Sequence, residues 1–320
     1  MIPIKFPVGR PLRFTILIAC SWMTPNTGTP APAENIIERF AQSDFVFQRI
    51  NTNVPLPPLF YMAVNDYREL HLDTDNNQAS QYSHTSLSQA AALPLLVSPR
   101  DALVVGEWAA KHRFTAQDDS GHSFSVTSLG LPLGWVRQIN YDWQLASFVF
   151  PTAYKANLPD SDWSEEWMGG VFGRYVQHDT LWWGFGFFID INPGTNLYLP
   201  YLGFSWTYTE EWTISAVMPW PAILYSPSKN TSFRLGMSPS GTSWFIDQKE
   251  SEIYYEWDGW NFGLTMMQRL QGNFWLEVEA GVSGLRSLSF TGGEWQGTDI
   301  KGNDTPYIGL QLSWRPDETL

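Results

Sequence analysis

The chain has 320 residues and carries 32 acidic against 19 basic side chains, which gives a formal net charge of −13 at pH 7. This acidic balance argues against nucleic acid as a partner, because binding to phosphates relies on lysine and arginine. Charged residues make up 16% of the chain, below the roughly 25% usual in soluble domains, and aromatic residues make up another 16%. Cys20 is the single cysteine, which excludes internal disulfides and a cysteine-based metal site.

Residues 1–33 have the features of a bacterial signal peptide. A basic start is followed by a short apolar run over residues 14–23, and Ala31-Pro32-Ala33 supplies small residues for cleavage. We therefore expect the mature chain to begin at Glu34. The stretch from residue 17 to Cys20 also resembles a lipobox, in which Cys20 would be lipidated and become the first residue. The two processing routes stay open at this point.

Residues 34–58 form a predicted N-terminal periplasmic extension. Ile36, Ile37 and Phe40 have the spacing of one helical turn, and three prolines lie near the end of the segment. We expect a short periplasmic helix or a tether. A plug inside the barrel described next is the alternative.

Residues 59–320 are predicted to form the barrel, since short polar turns alternate along them with longer connections. Outer-membrane barrels have short periplasmic turns and longer external loops. The predicted short turns lie at residues 98–101, 137–141, 177–180, 209–211, 227–230 and 270–273, and the longer connections at 66–84, 115–121, 156–165, 191–197, 247–251 and 291–304. Together with a tight hairpin at residues 218–221, this rhythm predicts fourteen strands. The count falls to twelve if that proline-containing hairpin is irregular.

The strands alternate between an apolar and a polar or small face. Leu276, Val278 and Ala280 share one face of a strand, while Glu277 and Glu279 share the other. No segment after residue 33 approaches the roughly 20 continuous apolar residues of a spanning helix. The pattern predicts an all-β, antiparallel transmembrane β-barrel of 12 to 14 strands. A soluble β-sandwich or barrel with a tryptophan-rich core is the alternative.

The last strand resembles the signal by which the bacterial outer-membrane assembly machinery recognises its barrel substrates. Tyr307, Gly309, Leu312 and Trp314 occupy the places of that signal, although six residues follow Trp314. The resemblance implies that the barrel assembly machinery is a partner.

A second resemblance extends over residues 59–314. Residues 199–206, 212–219 and 223–225, with Gly281 and Arg286 further on, are similar to an uncharacterised family of bacterial outer-membrane β-barrels. It implies a barrel in the outer membrane of a Gram-negative bacterium, in contact with its lipids and lipopolysaccharide. It implies no chemistry.

Catalytic and metal-binding patterns are weak. The adjacent pairs Ser83-His84 and His122-Ser123 place their side chains on opposite strand faces, which works against a catalytic dyad. The acidic residues 73–77 lack the features of a calcium loop. We expect no enzyme activity, no cofactor and no metal; an outer-membrane hydrolase that acts on lipid or peptide is the minor alternative.

The best functional candidates are polar residues predicted to face the lumen, since charges facing lipid are costly. We expect a passive pore or small-solute channel with a charged lumen, which would pass small solutes or ions. A closed structural barrel that contacts lipopolysaccharide or partner proteins is the first alternative. The lumen candidates are Glu277, Glu279, Arg174, Arg234, Arg269 and Gln311.

Overall fold

A computed structural model describes residues 43–45, 49–73, 79–117, 123–158, 161–191, 196–240, 242–248, 251–291, 298–302 and 304–316. Residues 1–42 lie outside this range, and with them the predicted signal peptide, both processing sites and the predicted helical turn. The described part contains seventeen strands: β1 Phe60–Asp73, β2 Ala79–Ser98, β3 Asp101–Ala116, β4 Phe124–Gly130, β5 Leu133–Gln138, β6 Trp143–Ala156, β7 Ser164–His178, β8 Leu181–Ile191, β9 Asn196–Thr207, β10 Trp212–Ser215, β11 Ala222–Ser228, β12 Thr231–Pro239, β13 Thr242–Gln248, β14 Ser251–Gln271, β15 Phe274–Thr291, β16 Thr298–Gly302 and β17 Thr305–Trp314.

These strands occupy fourteen positions in one closed antiparallel sheet. β4 and β5 fill one position, as do β16 and β17, because both members of each pair have the same neighbours. β12 and β13 also share one position, because they pair with successive parts of β14. The interruption between β4 and β5 lies at Pro132, which cannot donate to the ladder. The ring closes where β17 pairs with β1, from Phe60 opposite Trp314 to Tyr67 opposite Tyr307. The predicted transmembrane-barrel fold is confirmed.

Each of the six predicted short turns lies between two consecutive paired strands, as does the hairpin at residues 218–221. β10 and β11 pair from Trp212 opposite Tyr225 to Ser215 opposite Ala222, so the count is fourteen and not twelve. The connection predicted at residues 66–84 is shorter than expected, because β1 continues to Asp73 and β2 begins at Ala79. The ladder thus extends into sequence whose polar side chains suggested a loop.

The outer face of the barrel is an apolar belt bordered by aromatic rings. Exposed side chains include Leu264, Ile308 and Leu310. Tyr198 is exposed near the loop end of β9 and Tyr208 just beyond its other end. Ten residues separate them, about 33 Å of strand, which a tilt of about 40° reduces to about 25 Å along the barrel axis. That is the height of the apolar band in transmembrane barrels.

The described residues contain no helix that is long and apolar enough to span a membrane. Small residues on the inner face allow close contacts between neighbouring strands. A Cβ atom at Gly281 would collide with the carbonyl oxygen of Phe262 on β14 and with the Cα atom of Gly263. Only glycine fits at this step of the β14–β15 pair.

Candidate functional site

The lumen holds a chamber of about 960 Å³ near the end of the barrel that carries the short turns. Its wall is mainly apolar and comes from inward-facing side chains of β3 and β5 to β9. This lining differs from the expected charged lumen. Its largest apolar side chains include Phe148, Phe172, Trp182, Phe188, Tyr201 and Trp220.

The described part of the N-terminal extension lies across the mouth of this chamber. Asp44 N donates to the Pro99 carbonyl at 3.0 Å, in the turn between β2 and β3. On the other side of the ring, Asn53 N donates to the Glu210 carbonyl at 2.8 Å and Asn53 Nδ2 to the Ser226 carbonyl at 3.1 Å. The strands at these two anchors are five to seven positions apart in the fourteen-position ring. Residues 43–45 and 49–59, the mouth segment, therefore bridge opposite walls of the barrel.

Arg49 is the one cation of the mouth segment, and 4% of its side chain is exposed. Its Nη1 atom lies 2.9 Å from Asp142 Oδ1 and 3.9 Å from Asp179 Oδ1, both on short turns. The guanidinium also covers the Tyr141 ring, with its carbon 3.8 Å from the ring centroid. Arg49 lines the chamber together with Asp179. Sequence analysis missed it, because its place depends on a segment that has no strand pattern.

Arg174, a predicted lumen residue on β7, lines the same chamber. Its Nη1 atom donates to Gln144 Oε1 at 3.0 Å, and Gln144 Nε2 in turn donates to Gln138. Its guanidinium carbon lies 5.1 Å from the centroid of the Trp182 ring. The cation is therefore oriented by a chain of two amides and an indole in a mostly apolar environment.

Glu277 and Gln311, two further candidates, meet in a buried cluster on β15 and β17. Glu277 Oε1 accepts hydrogen bonds from Gln311 Nε2 at 2.7 Å and from Ser313 Oγ at 2.8 Å. It also forms a 2.8 Å ion pair with Arg315 Nη2, and the two side chains are 11% and 8% exposed. Arg315 Nη1 donates to the Leu56 carbonyl at 2.6 Å, which ties the mouth segment to the wall. We call Glu277, Gln311, Ser313 and Arg315 the clasp.

The other three candidates make separate hydrogen bonds. Glu279 accepts a hydrogen bond from the Tyr307 hydroxyl. Arg234 Nη2 donates to the Met237 carbonyl at 3.1 Å. Arg269 donates to the Gly272 carbonyl and lies beside the β14–β15 turn. The six candidates thus do not form one ring around the lumen.

A smaller cavity of about 430 Å³ lies deeper in the barrel and is more polar. Glu277, Glu279 and Gln311 line it, as do Asn65 and Thr265. It is the part of the lumen that most resembles the expected polar interior.

An aromatic cluster joins opposite walls of the outer half of the barrel. Trp244 on β13 is 2% exposed, and its ring contacts those of His112 and Phe114 on β3, with centroids 5.3 and 6.2 Å apart. His84 stacks on Phe114, and its Nε2 atom lies 3.2 Å from His112 Nδ1. Since β3 and β13 are not neighbours in the sheet, these contacts cross the lumen.

The contact between His84 and His112 brings together two side chains that could act as a catalytic base or as metal ligands. Among the described residues, no group of three or more possible ligands could hold a metal ion. The side chain of His71 and the whole of His122 lie outside the described residues.

The residues of the predicted assembly signal lie on the strand that closes the ring. Tyr307 and Gly309 are buried on the inner face, and Leu312 is 40% exposed on the outer face. Trp314 ends β17 opposite Phe60 and Phe274. Recognition by the assembly machinery remains a prediction.

A family model described as a domain of unknown function (DUF6268) matches residues 63–310. A comparison with curated proteins finds no match. Three similar solved structures are an outer membrane channel from Pseudomonas putida F1 (12% identity, 82% of this chain and 99% of that chain, TM-score 0.42), a FadL homologue from Pseudomonas aeruginosa (10%, 80% and 90%, 0.38) and the translocator domain of the autotransporter NalP from Neisseria meningitidis (10%, 89% and 93%, 0.35).

Proposed function

The chain belongs to the DUF6268 family, and we propose from the geometry of its own lumen that it is an outer-membrane barrel that admits small, mainly apolar solutes. The observation that carries the proposal is the apolar chamber of about 960 Å³ beneath the mouth segment. Ligand sites for small molecules have volumes of about 300–1,000 Å³ and are mainly apolar with a few polar groups. The chamber is at the upper end of that range.

The outer face supports a membrane location. Contiguous apolar surface of this extent is rare on soluble proteins, whereas lipid covers it at no cost. The belt surrounds a closed sheet, and closure removes the unpaired strand edge that lipid would leave unsatisfied. Two aromatic borders about 25 Å apart fit the two interfaces of one bilayer. Lipids, lipopolysaccharide and the assembly machinery are the partners that this location implies.

The mouth segment supports a gated channel over an open pore. It crosses the short-turn end, and Arg49 and Arg315 attach it to the wall. A solute that passes between the chamber and the periplasm has to displace it. We therefore propose that the mouth segment acts as a plug, the alternative to a simple tether.

One observation favours a closed structural barrel as the second candidate. The contacts of Trp244 with His112 and Phe114 cross the outer half of the lumen and leave the inner chamber without a wide axial path. A closed barrel predicts no solute passage, whereas the channel predicts passage that depends on the chamber.

Blocking the chamber tests the proposal. Ala146 faces it on β6 beside Phe172, so Ala146→Trp places an indole ring inside the chamber and narrows it. Ala109 has the opposite orientation on β3, where the even-numbered residues Ala102, Gly106 and Ala110 are buried, so Ala109→Trp is the matched control on the outer wall. The assay is uptake of the apolar dye N-phenylnaphthylamine by Gram-negative cells that produce the barrel.

We expect the wild type and Ala109→Trp to accelerate uptake over cells without the barrel, and Ala146→Trp to reduce that acceleration. Heat-modifiable migration on gels shows that each variant is folded. Equal uptake by both tryptophan variants would contradict the chamber as the route. Wild-type uptake at background would favour the closed structural barrel.

A further inference from the structure

The three nitrogen atoms of the Arg49 guanidinium differ in their hydrogen bonding. Nη1 is engaged by Asp142, while Nε and Nη2 are buried with no hydrogen-bond partner among the described residues. The Nε–H and one Nη2–H point to the same side of the guanidinium and form the fork that binds two oxygens of one carboxylate or phosphate. Buried donors that lack a partner are costly, so this fork is suited to an oxyanion.

Arg174 adds a second cation to the same chamber. Arg49 and Arg174 both line it, and they are close enough for their charges to interact. Like charges that share a mainly apolar chamber repel one another, and an anion between them relieves the repulsion. The carboxylates of Asp142 and Asp179, which pair with Arg49, are 51% and 61% exposed at the rim, so water and salt screen them more than the buried Arg49 and the half-buried Arg174.

The remaining lining accepts hydrocarbon. Phe148, Phe172, Phe188 and Val136 contribute apolar surface to the chamber in which the two arginines lie. One end of a ligand therefore meets cations, and the rest meets aromatic and aliphatic side chains. A neutral hydrocarbon satisfies the second part of the site and not the first.

We propose that the chamber binds single-chain anionic amphiphiles, with the carboxylate or phosphate head on the Nε and Nη2 atoms of Arg49 and near Arg174, and the tail against the aromatic wall. This inference rests on the proposed function, since it specifies which solutes the chamber holds. It also gives the mouth segment a role in selection, because Arg49 belongs to that segment.

Four probes that share a dodecyl chain and differ in head group distinguish recognition of the head group from recognition of the hydrocarbon tail. Dodecanoate, dodecyl phosphate, dodecanol and dodecyltrimethylammonium compete with a fluorescent fatty acid for the full mature chain in lipid nanodiscs. We expect dodecanoate or dodecyl phosphate to bind at least roughly tenfold more tightly than dodecanol, the scale of one charge-assisted hydrogen-bonded pair. The cationic probe should bind more weakly than dodecanol. Whichever anion binds more tightly identifies the head group.

Substitutions distinguish the contribution of the two-donor fork of Arg49 from that of its positive charge. Arg49→Gln and Arg174→Gln should each reduce the preference for anions over dodecanol, and Arg49→Lys should fail to restore it fully because lysine lacks the fork. Arg113→Gln, at an exposed position on β3, is the matched control and should keep the wild-type preference. Heat-modifiable migration identifies any variant that does not fold.

The outcomes distinguish this inference from the proposed function. In one outcome, dodecanoate, dodecyl phosphate and dodecanol bind with equal affinity to the wild type and all bind more weakly to Ala146→Trp. That result would overturn the anion site and leave the apolar chamber supported. Binding of none of the four probes would remove both. An unchanged anion preference in Arg49→Gln and Arg174→Gln would place the head group elsewhere.

Discussion

Arg315→Met breaks the clasp from the side of the cation. Arg315 and Glu277 are 8% and 11% exposed and 2.8 Å apart, so their ion pair is largely shielded from water. Removing one partner of a buried pair typically costs about 3–5 kcal/mol, because the other charge stays buried. Gln311 and Ser313 still donate to Glu277 after the substitution. We therefore expect a loss of about 3 kcal/mol in the free energy of unfolding, at the lower end of that range.

Glu277→Gln should cost a similar amount, since it leaves the Arg315 guanidinium without a counter-charge. The double variant Arg315→Met with Glu277→Gln removes both charges, and replacing both members of a buried pair is often close to neutral. The double variant should therefore lose less than the sum of the single losses, with a coupling energy of roughly 2 kcal/mol. Urea unfolding in lipid vesicles, followed by tryptophan fluorescence and by heat-modifiable migration, measures all three.

Arg100→Met is the matched control. Arg100 pairs with Asp44 at 3.0 Å, but the two side chains are 59% and 53% exposed, and such surface pairs contribute about 0–1 kcal/mol. Arg315→Met should also release the Leu56 carbonyl and make the mouth segment more sensitive to trypsin at Arg49. A loss below about 0.5 kcal/mol for Arg315→Met, or single losses that add in the double variant, would refute the clasp as a buried ion pair.

Two further substitutions test the outer half of the lumen and the wall. Trp244→Ala removes a ring that crosses the lumen. The substitution should raise conductance in planar bilayers and lower the free energy of unfolding by about 3–5 kcal/mol. Unchanged conductance would show that the aromatic cluster does not obstruct the path. Gly281→Ala places a Cβ atom against the Phe262 carbonyl, so it should abolish the heat-modifiable form. Ala280→Gly, on the exposed face, is the control and should keep that form. A folded Gly281→Ala barrel would contradict the close approach of β14 and β15.

The barrel wall could be predicted from the sequence because the patterns that define it lie within single strands and turns. Alternation with a period of two identifies which residues face lipid, and short polar segments mark the turns. The weakest step is the hairpin at residues 218–221: strand parity allowed either twelve or fourteen strands, and only the rhythm of turns favoured fourteen. The structure has that hairpin between β10 and β11.

The contents of the lumen could not be predicted in this way, because parity gives the face of a side chain and not its partner. Arg49 meets Asp142 across 93 positions of sequence, and Asn261 meets Tyr67 across 194. Glu277 was predicted to face inward, yet its pairing with Arg315 depends on where the chain turns after β17. The sequence offered a weak signal for this pair, namely a charged residue directly after the closing aromatic.

The apolar chamber arises from strands on which both faces are apolar. On β8, Phe185 and Phe187 face lipid, and Trp182 and Phe188 face the chamber. Such a strand reads as a nearly continuous apolar run, which is typical of strands with apolar surroundings on both sides. In a barrel wall one of those surroundings is lipid, so the other has to be an apolar region of the lumen. A run like Leu181–Ile191 therefore indicates where a barrel interior can hold hydrocarbon, whereas a strand like β15, with Glu277 and Glu279 inside, indicates where it stays wet.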